Sequence, residues 1–124
     1  MRQVKYQDIG LFTDKISITA NEPQAGGAST EYIIDLSKKG DFGEIIHELT
    51  TFKFQTGNPL EQVNGITNEA LLSILIDRMQ GFQSGPFSTR EGAIVITKLE
   101  EALLWMFKRT MDRMDRGVEG KMEK

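Results

Sequence analysis

No cysteine occurs among the 124 residues. Disulfides, thiolate nucleophiles and thiolate metal sites are thereby excluded, and any core must hold by packing alone, as suits a reducing compartment. The single histidine, His47, sits in His47-Glu48-Leu49-Thr50-Thr51, which lacks the second histidine of a zinc-protease helix. It reads as a half-buried polar residue of a strand, and no metal is expected. No run of about 18 apolar residues is present, and the segment 1–10 has neither the apolar centre nor the small-residue cleavage site of a secretory signal. A soluble, intracellular chain without membrane partners is expected. There is no G-x-S-x-G elbow, no Walker A loop and no G-x-G-x-x-G; residues 117–121 have the wrong spacing for a phosphate loop and no following Ser or Thr. Neither an enzymatic activity nor a cofactor is expected.

Basic charge is also in short supply. The net charge of −3 argues against DNA or RNA as partner, because a phosphate backbone needs a cationic surface. The distribution is uneven, with nine basic against fourteen acidic residues up to Phe107, and six against four from Lys108 onward. A small anionic ligand would be served by that end.

The length and a 39% hydrophobic content fit one domain with one modest core. The hydrophobic pattern changes near residue 66. Before it, Ile16, Ile18 and Ala20 alternate with Ser17 and Thr19, and a polar stretch at 21–29 with Pro23 and Gly26-Gly27 separates them from an extended run at 30–36. A turn at Lys38-Lys39-Gly40-Asp41 precedes a β-branched and aromatic run at 44–55, giving three or four antiparallel strands. Asn64-Gly65 marks a further turn. After it, Leu71, Leu72, Leu75, Met79 and Phe82 predict a helix over 68–83, N-capped by Thr67 or Asn68 and stopped by Gly85-Pro86. Ser88 and Glu91 form a capping box that opens a second helix over 88–116, with Val95, Leu99, Ala102 and Met106 on one face. The fold class predicted is α+β: a small N-terminal antiparallel sheet (1–66), then a two-helix antiparallel hairpin with a long second helix (67–116), then a tail (117–124).

At about 1.5 Å per residue the second helix is about 43 Å long and the first about 24 Å. The second therefore overhangs the first, leaving Phe107, Met111 and Met114 for a second subunit to cover. The methionine spacing, including Met106 and Met122, fits oligomer packing better than a membrane or calmodulin-type surface, because acids alternate with it.

Arg109, Arg113 and Arg116 follow one another at helical spacing. Taken alone they read first as a solvated helix end, with Asp112 and Asp115 as partners and their charge complementing the helix C-terminus. The second reading is a pyrophosphate clamp, since guanidinium groups give phosphates paired hydrogen bonds. Phe82 reads as core or as a stacking platform beside the turn. Gln83 and Arg90 flank the hairpin tip, as ordinary surface residues or as supports for a ribose or phosphate. Arg109 lies about 30 Å along the second helix from residue 89, which adjoins Phe82 across the turn. If Phe82 and Arg109 touch one ligand, they must come from different chains.

The strings HELTTFKFQTG (47–57), VNGITNEALL (63–72), DRMQGFQSGPF (77–87), TKLEEALLW (97–105) and RTMDRMDRGVEG (109–120) resemble, in order, the anti-Thoeris sponge proteins of phages. The resemblance implies a non-enzymatic protein that binds a cyclic ADP-ribose isomer made by a bacterial TIR-domain sensor and holds it intact, in the cytoplasm of the infected host. It further implies homo-oligomers, dimers that pair into hexamers, and in some members binding of the cyclic oligonucleotides of the CBASS pathway. The ligand-contacting positions it carries over are Phe82, Arg109 and Arg113. Where the family pattern reads C-R-E-N, this chain has Thr89-Arg90-Glu91-Gly92, without a side-chain amide at the last position.

Overall fold

In the computed structural model, which describes residues 1–117, the elements run β1 (Arg2–Val4), β2 (Ile16–Ala20), β3 (Glu31–Lys39), β4 (Ile45–Lys53), α1 (Asn68–Gln83) and α2 (Arg90–Asp115). The class is α+β, strands first and helices last. The tail expected at 117–124 lies outside the described residues from 118 on, and Met122 with it. Two compact units arise, one from residues 1–56 with 63–65 and one from 57–62 with the chain from 66 onward. No helix among the described residues is long and apolar enough to cross a membrane.

The first unit is a four-stranded antiparallel sheet in the order β1-β2-β3-β4. Its register aligns Val4 with Ile18 and Ile34, Ile16 with Leu36, and Ala20 with Tyr32 and Phe52. Directly opposed residues point the same way, so these side chains share one face. Ala20 is fully buried there, and Tyr32 meets Phe54 edge to face at 5.5 Å. The loop between β2 and β3 is closed by Asn21, whose side-chain oxygen accepts from the Thr30 and Glu31 amides while its amide donates to the Thr30 hydroxyl. Ser29, buried beside it, accepts from the Arg2 guanidinium at 2.8 Å and donates to the Asn21 carbonyl. That pair ties down β1, a three-residue strand with one apolar side chain.

Two boundaries move relative to the sequence. Lys38 and Lys39 pair with Ile46 and Ile45, so β3 runs on and the turn lies at 40–44, where Gly40 and Glu44 bond backbone to backbone. Asn64 and Gly65 serve less as a turn than as a clasp on the end of the sheet. The Asn64 side chain accepts from the Thr56 amide and donates to the Thr56 carbonyl, and the Asn64 amide donates to Gln55. A Cβ on Gly65 would fall inside contact distance of the Phe54 carbonyl carbon and 2.6 Å from the Lys53 and Phe54 carbonyl oxygens.

The second unit contains the hairpin. Thr67, in extended backbone, caps α1 by accepting from the Ala70 amide. Along α1 Leu71, Leu72, Ile76, Met79 and Gln83 are covered, whereas Leu75 and Phe82 are exposed. The sequence 71–76 holds five apolar residues in six, which supports two stripes, and the one through Ile76 is the one turned inward. Along α2 the covered positions are Gly92, Ile96, Leu99, Ala102, Leu103, Met106, Thr110 and Arg113; Val95 stands outside them. The expected overhang is covered on this one face, while Phe107, Met111 and Met114 remain exposed.

Gly65→Ala is expected to destabilise the fold by about 1–3 kcal/mol, because fixed backbone rather than a mobile side chain must yield. A urea melt reading a lowered midpoint at constant slope checks this. A second expectation concerns the loop after β1. Bonds from the Thr13 hydroxyl, the Gly10 and Phe12 amides and the Tyr6 hydroxyl hold the Asp8 carboxyl down to about 2, from an ordinary 3.8. A depressed carboxylate supports the fold above its unfolded value and ceases to as pH falls through its folded value. The Gly10 and Phe12 amide resonances should keep their positions at pH 4, move with a midpoint near 2, and already be displaced at neutral pH in Asp8→Asn.

Candidate ligand-binding site

The hairpin tip is built by a clasp between the two helices. Thr89 is the N-cap of α2: its backbone is extended (φ −139°, ψ 160°) and its Oγ1 accepts from the Gly92 amide at 2.9 Å. The cap is therefore Thr89, not Ser88, and the box expected between Ser88 and Glu91 does not form. A capping box would use the side chain three residues past the cap to accept from the cap's own amide. That position is Gly92, which has no side chain, and Gln83 of α1 takes over: its Oε1 accepts from the Thr89 amide at 2.9 Å and its Nε2 donates to the Thr89 carbonyl at 2.8 Å. A Cβ on Gly92 would collide with that same Oε1 and approach Thr89 Oγ1 to 3.1 Å. Gly92 and Gln83 thus occupy one space between them.

With Gln83 on the inside, Phe82 is turned outward, 37% exposed. Its ring meets Phe87 edge to face at 6.4 Å, and the Arg78 guanidinium stands over it at 5.0 Å. This is a cation–π contact, so Arg78 already covers one face of the ring. Arg90, the first residue of α2, is exposed at the same tip. Phe82, Gln83 and Arg90 are therefore brought together, with Phe87 and Arg78 added. Phe87 follows a Gly-Pro turn and belongs to no periodic pattern, so nothing in the sequence singled it out.

Arg109 and Arg113 lie far from this group. Between Arg90 and Arg109 the helix is unbroken, so they are separated by about 28 Å of rise. The two arginines share a concavity of about 380 Å³ lined, among the described residues, by Trp105, Lys108, Arg109, Asp112, Arg113 and Arg116. Arg113 stays on the covered face at 6% exposure, while Arg109 and Arg116 turn outward beside Trp105. Asp112 accepts from Lys108 at 3.3 Å on the same stretch of helix. Such a wall can hold the paired oxygens of a pyrophosphate, and Phe82 takes no part in it.

His47 lies on the exposed sheet surface rather than half-buried. Its Nδ1 meets both Asp35 Oδ1 at 2.9 Å and Ser37 Oγ at 3.2 Å. A nucleophilic relay places acid and nucleophile on opposite ring nitrogens, so this trio is not arranged as one. Among the described residues no three His, Cys, Asp or Glu side chains converge as a metal site would.

The fold and these two groups of side chains define an α+β protein organised around an antiparallel helical hairpin, aromatic at its tip and cationic toward the end of its long helix. The family model of the Acb2/Tad1 hairpin domain matches residues 46–111, and the chain is 48% identical over 89 residues to the protein named Thoeris anti-defense 1 of Bacillus phage SBSphiJ7. That match covers 71% of this chain and 63% of the relative's length. The chain belongs to the Acb2/Tad1 hairpin-domain family. The family region takes in Phe82, Gln83, Arg90 and Arg109, and Arg113 lies two residues beyond its end.

Gln83→Ala should lower stability by about 1–2 kcal/mol through loss of both bonds to Thr89, whereas Gln83→Glu keeps the acceptor and should lose less. Thermal melts of the two variants beside the parent protein give the comparison.

Proposed function

We propose that this protein is a phage anti-defence sponge, which captures a cyclic ADP-ribose isomer produced by a TIR-domain Thoeris sensor and keeps it, uncleaved, from its effector. The observation that carries the reading is the concavity walled by Arg109, Arg113 and Arg116, three guanidinium groups on one helix of a chain that is otherwise acidic. The relative's name supplies the biological setting. Arg109 and Arg113 act as clamps on the pyrophosphate, and Phe82 stacks on the adenine, with Gln83 and Arg90 beside it at the tip.

With α2 unbroken, a clamp and a platform that touch one ligand would come from different copies. Two hairpins lying antiparallel about a two-fold axis put each tip against the other's cationic end and generate two equivalent pockets. The exposed Leu104, Phe107, Met111 and Met114 lie on another face of α2 and offer a further apolar surface for association. Capture is non-covalent, and no side chain is assigned a chemical step.

The test is to incubate the protein with the TIR product, denature it by heat and analyse what is released. Depletion before heating and return of the unchanged nucleotide support the proposal. A new species would mean an enzyme, and absence of depletion would mean a role through protein contacts. Stacking on one base is worth about 1–3 kcal/mol, so Phe82→Ala should weaken capture about 5- to 150-fold. Arg109→Glu, at an exposed position, should abolish it while leaving the fold intact; Arg113 is buried, and its reversal tests stability as well as binding.

A further inference from the structure

We infer that Trp105 is a second stacking surface of this site, on the same helix as the arginines, and that it makes capture depend on a nucleobase rather than on phosphate alone. This rests on the nucleotide-binding reading above. Trp105 is the sole tryptophan of the chain, yet it is 63% exposed. Its position on α2 separates it from the surface that would join two copies. At about 100° per residue, Leu104, Phe107, Met111 and Met114 form one exposed stripe, whereas Trp105, Arg109, Asp112 and Arg116 form another roughly 150° away around the helix. The indole therefore stands among guanidinium groups and not among apolar neighbours, and with them it lines the concavity of about 380 Å³.

Spacing fits the chemistry of a nucleotide. Trp105 and Arg109 are one turn apart, about 6 Å along the axis, a length comparable to the ribose that joins a base to its phosphate. A pyrophosphate gripped by Arg109 and Arg113 thus places the attached base over the indole. Asp112, bound to Lys108 on the same face, offers a carboxylate acceptor for ribose hydroxyls and tempers the pull on phosphate that carries no sugar.

The sole tryptophan also supplies the readout. The TIR-generated cyclic ADP-ribose isomer is titrated into the wild type, Trp105→Ala, Trp105→Phe and Arg109→Glu, following indole emission and heat of binding, with inorganic pyrophosphate as competitor and sedimentation to fix subunit number. The expected result is emission quenched in step with binding, affinity lost about tenfold in Trp105→Ala and largely restored in Trp105→Phe, with the weak competition by pyrophosphate unchanged in all three. If wild-type emission does not move and Trp105→Ala binds as the wild type does while Arg109→Glu fails to bind, the inference is overturned and the sponge reading stands. If Trp105→Ala loses subunits and affinity together, Trp105 is a contact between copies and the inference is likewise overturned. If the wild type binds no cyclic ADP-ribose isomer at all, both fall.

Discussion

The 26 residues of α2 run without a break, and that rigid length decides what a single hairpin can do. A helix holds its side chains at fixed rise and rotation, so Arg90 at its start and Arg109 near its end cannot be drawn together by any rearrangement short of breaking it. Aromatic and cationic halves of the candidate site are consequently kept apart within one chain. The same rigidity sorts the helix into three faces. One, through Gly92, Ile96, Leu99, Met106 and Arg113, is covered; a second, through Leu104, Phe107, Met111 and Met114, is apolar and exposed; a third carries Trp105, Arg109 and Arg116.

What aims the rod is the clasp at its beginning. Gln83 spends both functions of its amide on Thr89, and Gly92 is the absence of a side chain that lets the amide in. An N-cap and its partner are usually supplied by one helix; here the second half of the box is lent by the other, which couples the end of α1 to the start of α2. The arrangement also explains why Phe82 faces outward. Successive helical residues differ by about 100°, so drawing Gln83 inward to the turn rotates Phe82 toward solvent, where Arg78 and Phe87 receive it.

Elements with a strong period were legible in the sequence. Both helices fall where three- and four-residue spacing places them, β2 where alternation does, and β4 where its β-branched and aromatic residues do, although β4 is almost wholly exposed. Strand β1 escaped notice because its anchorage is polar, through Arg2 and Ser29, and hydrophobic periodicity has nothing to say of it. The inner stripe of α1 was legible in part: Leu71, Leu72 and Met79 are covered, but residues 71–76 are apolar almost throughout, and only the packed structure chooses Ile76 over Leu75. Site residues divide in the same way. The arginines announce themselves by spacing, but Arg113 proves to be a buried member of the set, and Trp105, Phe87 and Arg78 join it through rotation about the helix and folding of the turn. The interaction of Gln83 with Gly92 is not visible in either residue alone.

Burial is sparse, with Ala20 and Ile76 the only buried hydrophobic residues among those described, and Ile76 still 9% exposed. A chain of this length would ordinarily draw its stability from a larger core. The exposed stripe on α2 is an apolar surface that a single copy leaves open. In the two-copy arrangement proposed above, each aromatic tip would lie toward the other copy's guanidinium wall. Association and pocket assembly would then be one event, because only a second copy can close the gap of about 28 Å that a single rigid helix imposes.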